Sequence, residues 1–312
     1  MQDQASSLRE ITRKRNNENR FTLARVLAVT SGKGGVGKSN MSSNLAIAIC
    51  QYGKKVLLID FDLGLANIDV LFGIYPKYTL KDVLRGTKEL ADVIVEGPEG
   101  LMIIPASSGV EDMVRLTISQ KEKLIKDLNS LRNDIDIVVV DTGSGIYSDV
   151  IRMLIAANEI IIITTPEPTA ITDAYSVIKV ISRYKRYPNI KLFVNMCKNI
   201  LDAKNTGKKI TEAAKRFLGV EIEDVWAVPF DYHVQNAVRV QKPFVIKYPD
   251  AIISSTIKKI AGNILSSQAR SYAQDEEDGG LHNYFQKLIG VNSAENNKNV
   301  VTTQVDRLKT ED

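Results

Sequence analysis

The sequence predicts a doubly wound α/β fold with a mainly parallel, seven- or eight-stranded sheet and helices on both faces. Seven short runs are apolar at every position, which is typical of strands buried on both faces, as in parallel sheets. Stretches of helical periodicity, such as residues 119–132, 173–186 and 210–218, alternate with these runs, and this alternation indicates a parallel α/β sheet. The runs cover residues 26–29, 56–59, 101–104, 137–140, 160–163, 192–194 and 225–228. Ligands of such folds bind at the carboxyl ends of the strands, so the residues after each run are the candidates for chemistry.

Composition restricts the class of protein. The 312 residues carry a formal net charge of +4, which by itself does not indicate nucleic-acid binding. Cys50 and Cys197 lie in apolar surroundings without a C-x-x-C partner, so we expect buried thiols in a reducing cytosol. No apolar run is long enough to span a bilayer, and neither secretion nor transmembrane insertion is expected. Residues 25–268 lack a linker-like stretch and are predicted to form one domain between two tails.

The first apolar run leads into a glycine-rich loop, GKGGVGKS, at residues 32–39. A loop of the form G-x-x-x-x-G-K-S between a strand and a helix directs backbone N–H groups and the positive end of the helix dipole at phosphate oxygens. Lys38 is expected to reach the β- and γ-phosphates, and Ser39 to offer its hydroxyl to Mg²⁺. The predicted nucleotide contacts of this loop are Gly32, Lys33, Gly34, Gly35, Val36, Gly37, Lys38, Ser39 and Asn40.

A second lysine, Lys33, lies in this loop, and phosphate binding does not require it. The pattern K-G-G-x-G-K-[S/T] resembles the deviant Walker A motif of the MinD/ParA family, which are P-loop NTPases of the SIMIBI type. The resemblance implies that two chains enclose ATP between them and that Lys33 crosses the interface to the partner's nucleotide. A cation at such a phosphate-rich interface neutralises charge that would otherwise hold the chains apart.

Acidic residues follow the second apolar run, in the segment 60–69. This segment resembles switch I of MinD-type ATPases. The resemblance implies that Asp62 positions or activates the attacking water, that Asp60 supports the metal, and that Asn67 belongs to the switch. Asp62 would act in catalysis together with Lys33 and Lys38. The alternative for this segment is a polar loop that caps a helix.

The fourth run ends in Asp141, and four apolar residues followed by Asp form a Walker B pattern. Asp141 is expected to hold the water shell of Mg²⁺, while Gly143 and Gly145 allow the backbone to approach the γ-phosphate as a second switch. Many members of the family carry proline at the position of Gly143. The D-T-G-x-G-I form resembles the flagellar branch of the family instead.

Two later strand ends are candidates for contacts with the base. Asn195 follows the sixth run, and Pro229 and Asp231 follow the seventh. These places hold the base in the family, which implies adenine recognition by Asn195 and flanking contacts by residues 229–231. Either segment could instead be a turn that ends a strand.

The N-terminal segment contains the string D-Q-A-x-x-L-R. It resembles the activator motif of the FlhG branch, the flagellar-number ATPases, in which this segment docks on the SRP-type GTPase FlhF and stimulates GTP hydrolysis. Its apolar surface is too small to support a lone helix, so residues 1–24 are expected to be flexible until bound. The residues of the motif are Asp3, Gln4, Ala5, Leu8 and Arg9.

At the other end, an acidic linker at residues 269–280 precedes an amphipathic run at 281–290. The run resembles the membrane-targeting helix that ends MinD-type proteins. A helix that packs on its own domain would show the same pattern. Residues 291–312 are polar and are expected to be disordered. The apolar face of the run consists of Leu281, Tyr284, Phe285, Leu288 and Ile289.

The resemblance as a whole implies a slow ATPase that requires ATP and Mg²⁺ and forms a homodimer with ATP. That dimer would attach peripherally to the cytoplasmic membrane, and its partners would be FlhF and the flagellar switch (C-ring) proteins, without direct contact to nucleic acid. Three alternatives remain. They are a division-site MinD-type ATPase, a DNA-segregation ParA-type ATPase, and a scaffold or iron–sulfur carrier that binds nucleotide without hydrolysing it.

Overall fold

Eight strands form one sheet in the order β3-β4-β2-β5-β1-β6-β7-β8. A computed structural model describes residues 24–62, 68–105, 117–131, 134–222, 224–267 and 280–290. All neighbouring strands are parallel except β3, which pairs antiparallel with β4 at one edge. The strands are β1 (Arg25–Ser31), β2 (Val56–Phe61), β3 (Val95–Glu96), β4 (Met102–Ile104), β5 (Ile137–Ser144), β6 (Glu159–Thr164), β7 (Ile190–Cys197) and β8 (Asp224–Pro229).

Helices cover both faces of this sheet, and the predicted fold class is confirmed. Side chains of the central strand alternate between two apolar cores, because Val26 and Ala28 point to one face and Leu27 and Val29 to the other. The helices are α1 (Lys38–Cys50), α2 (Ile68–Phe72), α3 (Leu80–Leu84), α4 (Leu90–Val93), α5 (Ile118–Ser130), α6 (Ser148–Ala156), α7 (Pro168–Tyr184), α8 (Ile200–Leu218), α9 (Tyr232–Arg239), α10 (Phe244–Lys247), α11 (Ile252–Ser266) and α12 (Leu281–Ile289).

The largest difference from the sequence pattern concerns α8, which begins ten residues before the periodic stretch at 210–218. Asn199 caps its first turn by accepting from the N–H of Asp202 at 2.8 Å. Gly207 interrupts the apolar periodicity because it packs directly on β8, where an added Cβ would lie 2.6 Å from Val225. A close helix–strand contact therefore replaces the apolar side chain that the pattern would require.

Helix α12 packs on the same domain as the helices before it. The five side chains of its apolar face are all buried in the core that α5 and α6 also line. Phe285 packs on Phe61 of β2, with ring centroids 6.3 Å apart. Lys121 of α5 donates to the carbonyl of Ile289 at 2.7 Å and so holds the end of the helix. The membrane-facing surface predicted for residues 281–290 is thus covered in this conformation, and membrane attachment stays a prediction that requires the helix to leave.

The hydroxyl of Tyr284 lies inside this contact. The hydroxyl of Tyr284 is fully buried and forms no hydrogen bond with any described residue. Burial raises the pKa of this phenol far above its ordinary value. A buried hydroxyl without a partner destabilises the packed position of the helix. Within the described ranges, no helix is both long enough and apolar enough to span a bilayer.

At the amino ends of the strands, buried charges pair with each other. Arg25 donates to the carboxylate of Glu159 and, at 2.6 Å, to the carbonyl of Ile264. Lys191 lies 3.5 Å from the same carboxylate and 2.5 Å from Asp224. These pairs join β1, β6, β7 and β8 at the edge opposite the glycine-rich loop, so we assign them a structural role.

Candidate functional site

The glycine-rich loop connects β1 to α1, and two neighbouring elements hold it. An added Cβ on Gly32 would lie 2.3 Å from the carbonyl carbon of Asp173, so the backbone of α7 packs directly on the loop. On the other side, the side-chain amide of Asn195 donates to the carbonyl of Val36 at 2.8 Å. Gly37 has a left-handed φ of 89°, and no side chain caps the helix that follows. The first N–H groups of α1 are therefore available to an anion at the loop.

Lys38 lies between two carboxylates. Its Nζ is 3.0 Å from Oδ1 of Asp141 and 3.2 Å from Oδ2 of Asp62, and the hydroxyl of Ser39 is 3.4 Å away. Burial opposes the charged form, but Asp141 and Asp62 outweigh it and hold the pKa of Lys38 above its ordinary value. The structure thus brings together four residues that the sequence assigned to phosphate, metal and water.

Asp60 organises the segment that carries Asp62. Its two carboxylate oxygens accept from the N–H groups of Asp62 at 3.0 Å and Ile68 at 3.3 Å, so it bridges both ends of the segment 63–67. Burial, followed by the nearby charge of Asp141, raises the pKa of Asp60 to about 7. Asn67, the predicted switch residue, lies outside the described residues.

The donors at this site fit a Mg²⁺–nucleotide. Oδ2 of Asp141 is buried and forms no hydrogen bond with the described residues, and the hydroxyl of Ser39 lies in the same group of side chains. Mg²⁺ is typically held by one or two carboxylates together with phosphates and waters, rather than by an all-protein cage. The described part of the chain contains no cluster of three or more His, Cys, Asp or Glu side chains suited to a metal.

Lys33 occupies a position that the sequence did not predict. Its Nζ lies 2.7 Å from Oε2 of Glu167 and 3.1 Å from Oγ1 of Thr169, at the start of α7. Both partners of this ion pair are exposed. The sequence could have placed Glu167 at the site, because this residue follows the apolar run at 160–163 and so belongs to the same edge of the sheet as the other acidic residues.

The segment after Asp141 is joined to β1. Gly145 has a φ of 95°, and its N–H donates to the carbonyl of Ser31 at 2.8 Å, directly before the glycine-rich loop. Gly143 belongs to β5 itself. Ile146 and Tyr147 follow with exposed side chains. The second predicted switch is thus connected to the loop through the backbone.

The two predicted base-binding segments differ in the contacts that their side chains make. Asn195 is buried beside the loop, as described above. Asp231 caps α9, because its Oδ1 accepts from the N–H of His233 at 2.9 Å. Although partial burial opposes it, this bond and the other contacts to His233 and Ile253 lower the pKa of Asp231. Pro229 ends β8. A contact of Pro229 or Asp231 with the base stays a prediction.

The cysteines do not suit a metal or cluster carrier. Cys50 and Cys197 are both buried and free. Burial raises the pKa of each thiol to about 11, so neither thiolate is readily formed. This finding disfavours the iron–sulfur carrier among the alternatives.

The predicted FlhF-binding residues Asp3, Gln4, Ala5, Leu8 and Arg9 lie outside the described residues.

The chain is similar to known proteins over most of its length. The family model described as "AAA domain" matches residues 24–194. The antiactivator FleN of Pseudomonas aeruginosa is 41% identical over 77% of this chain and 85% of its own length. The flagellum site-determining protein YlxH of Helicobacter pylori is 33% identical over 93% of this chain and 99% of its own.

Solved structures show the same fold. MinD in the MinC:MinD complex of Aquifex aeolicus superposes with a TM-score of 0.63 at 28% identity, over 78% of this chain and 96% of that one. MinD of Pyrococcus horikoshii complexed with Mg-ADP has a TM-score of 0.64 at 23% identity, over 80% and 100% of the two chains. ATP and Mg²⁺ are the cofactors of this chain, and ATP hydrolysis is its reaction. The chain belongs to the MinD/ParA family of ATPases with the deviant Walker A motif, in the branch that contains FleN and YlxH.

Proposed function

We propose that this chain is an ATP-dependent switch of FlhG type that controls the number and placement of flagella. The observation that carries the proposal is the sequence identity of this chain with FleN and YlxH, which is 41% and 33% over most of the chain. The second of these proteins is named for determining the flagellar site. Membership of one ATPase family supports a shared ATPase cycle, and the output would come from the partners that each nucleotide state binds.

In the proposed cycle, the residues of the glycine-rich loop bind and orient the phosphates. Lys38 exchanges its contacts with the two carboxylates for contacts with the phosphate oxygens. The electrostatic attraction between a buried cation and phosphate is stronger there than in water. Bound Mg²⁺ would supply charge neutralisation at the phosphates, held by the hydroxyl of Ser39, with Asp141 holding its water shell and Asp60 in support. Asp62, released from Lys38, accepts a hydrogen bond from the attacking water and holds it in line.

Lys33 would join two chains. Homologues in this family act as ATP-dependent dimers, and the deviant Walker A pattern assigns Lys33 to the partner's nucleotide. To reach it, Lys33 must leave Glu167. An exposed pair of this kind contributes about 0.2–1 kcal/mol, so the contact with phosphate at a dry interface outweighs it. Dimer formation would in this way select the ATP state over the ADP state.

Membrane attachment would use α12 and needs a source of free energy. Its five buried apolar side chains, at roughly 1.5–3 kcal/mol each, stabilise the packed position by up to about 8–15 kcal/mol. Insertion of the same side chains into lipid returns a similar amount, which leaves a single helix near balance. Two helices in one ATP-held dimer bind far better because the second insertion is intramolecular. The dimer would therefore be found at the membrane and the monomer in the cytoplasm.

Measuring the oligomeric state of two variants with ATP and Mg²⁺ tests the cycle. Lys33→Ala should stay monomeric by light scattering, whereas Asp62→Ala should accumulate as a dimer because it does not hydrolyse its nucleotide. Lys179→Ala, an exposed lysine of α7, serves as the matched control and should behave as wild type. A Lys33→Ala dimer of unchanged affinity would refute the role of that lysine.

Sedimentation with anionic liposomes tests the membrane step. Wild type should sediment with ATP but not with ADP, and a chain that ends after residue 279 should not sediment with either. Lys33→Ala keeps α12 but is expected not to dimerise, so it should stay in the supernatant with ATP. Binding that is independent of nucleotide in wild type would contradict the proposed gating.

The partner proposals follow the N-terminal motif and the flagellar relatives. Residues 3–9 would dock on the GTPase FlhF and stimulate it, and C-ring proteins would be the second partner. A pull-down with FlhF should lose the complex when residues 1–9 are deleted or Arg9 is changed to Ala. Arg13→Ala, just beyond the motif, is the control. Equal capture of all these variants would exclude this motif as the docking site.

A further inference from the structure

Met196 has an unusual backbone conformation at the end of β7. Its φ is +57°, in the left-handed region that favours glycine. Two other described residues besides glycines have a positive φ, and both are exposed: Glu99 in the short 3₁₀ helix Pro98–Gly100 and Gln241 in a turn. Met196 instead lies within a strand. Such a conformation costs free energy and persists only where the surroundings impose it, which is common at ligand sites.

The conformation places two consecutive side chains against the same loop. In a regular strand, successive side chains point to opposite faces of the sheet. Here the register between β7 and β8 shifts between Val194 and Cys197. An added Cβ on Gly37 would lie 2.6 Å from the amide nitrogen of Asn195 and 3.7 Å from the terminal methyl of Met196. Both side chains thus face the glycine-rich loop.

The Met196 side chain is also exposed where its neighbours are not. It is 40% exposed, whereas the other seven residues of β7 are buried. Phe230, at the end of the adjacent strand, is 45% exposed, and its N–H donates to the carbonyl of Cys197 at 3.0 Å. An apolar thioether and an aromatic ring are therefore exposed to solvent beside the loop, at the strand ends assigned to the base.

We propose that Met196 forms one wall of the base site and packs its thioether on the face of the adenine ring. This inference rests on the proposed placement of the nucleotide at the glycine-rich loop. A methionine sulfur makes favourable contacts with aromatic rings, and its unbranched chain adapts to the shape of the ligand. The strained backbone has a function in this arrangement, because it turns the side chain from the sheet toward the ligand. Asn195 contacts the edge of the base, and Met196 adds affinity through its face.

Comparing the affinities for ADP and for tripolyphosphate distinguishes contacts with the base from contacts with the phosphates, because tripolyphosphate has no base. ADP is chosen over ATP to keep dimerisation out of the measurement. By calorimetry with Mg²⁺, Met196→Ala and Met196→Gly should bind ADP about two- to tenfold more weakly than wild type. Both should bind tripolyphosphate as wild type does. Met196→Gly relieves the left-handed strain and should be at least as stable as wild type, so its loss of affinity cannot come from misfolding.

Two controls limit the interpretation. Ile200→Ala, an exposed apolar residue shortly after Met196, should leave ADP affinity unchanged. Lys38→Ala should weaken both ligands, and if it weakens neither, the nucleotide lies elsewhere and the placement itself is wrong.

Two other results would overturn the inference while leaving the placement intact. The first is unchanged ADP affinity in both Met196 variants; if ATP-dependent dimerisation is lost at the same time, Met196 belongs to the contact between chains. The second is an equal loss of affinity for tripolyphosphate, which would mean that Met196 only supports the loop.

Discussion

Replacing Tyr284 by phenylalanine should strengthen the packing of α12 on the domain. The buried hydroxyl has no partner among the described residues, and an unsatisfied group of this kind costs about 1–3 kcal/mol. Tyr284→Phe removes that cost and retains the edge-to-face contact with Phe285, whose ring centroid lies 5.6 Å away. We therefore expect a gain of about 1–2 kcal/mol, which corresponds to a roughly 5- to 30-fold lower population of the released helix.

Hydrogen exchange at the α12 amides measures this population directly. Exchange should slow about 5- to 30-fold in Tyr284→Phe where local release governs it, while amides of α1 on the opposite face keep their rates. The unfolding midpoint should rise by about 2–8 °C. Tyr187→Phe is the matched control, because that side chain is 80% exposed and should change stability by less than about 0.5 kcal/mol. Faster exchange in Tyr284→Phe would mean that the hydroxyl has a partner, and the reasoning would be wrong.

Three other substitutions have expected outcomes. The pKa of Asp60 is raised from 3.8 to about 7, so the stability that this carboxyl contributes is present below pH 4 and lost as the pH rises through 7. In urea denaturation without nucleotide, Asp60→Asn should gain stability relative to wild type between about pH 5 and 7.5; a difference that does not vary with pH would contradict the shift. Each chain of the dimer must release one Lys33–Glu167 pair, so Glu167→Gln should remove two costs of about 0.2–1 kcal/mol and raise the ATP-dimer association constant by up to about 30-fold in sedimentation equilibrium. A weaker dimer would show that Glu167 acts within the interface. Glu159→Gln leaves Arg25 buried beside a neutral partner and should cost about 3 kcal/mol in urea denaturation, and a change below about 0.5 kcal/mol would mean that solvent reaches the pair.

The sequence predicted the sheet and the phosphate loop because both depend on local patterns. Apolar runs identify strands buried on both faces, and the glycine pattern between a strand and a helix determines where phosphate is expected. The grouping of Lys38, Asp62 and Asp141 followed from topology, since parallel strands carry their ends to one edge. For these features, local chemistry and the overall fold agree.

Other features required the three-dimensional structure. The amphipathic pattern of 281–290 is the same for a helix on lipid and a helix in a core, because both environments select an apolar face. The cis partner of Lys33 lies 134 residues away, and no local pattern specifies such a contact. Met196 was missed because its role depends on a backbone angle, and residue type alone predicted only a strand end.

Phe61 lies between Asp60 and Asp62 in the chain, and its ring contacts Phe285 of α12. One strand end thus carries residues of the nucleotide site on both sides of a residue that holds the helix. If nucleotide binding shifts this strand end, then nucleotide binding and the release of α12 are thermodynamically linked, and the coupling acts in both directions. Any factor by which ATP favours release of α12 is then the factor by which release favours ATP. A membrane that binds the released helix would in that case act as an effector of the ATPase site, in addition to being the surface on which α12 inserts.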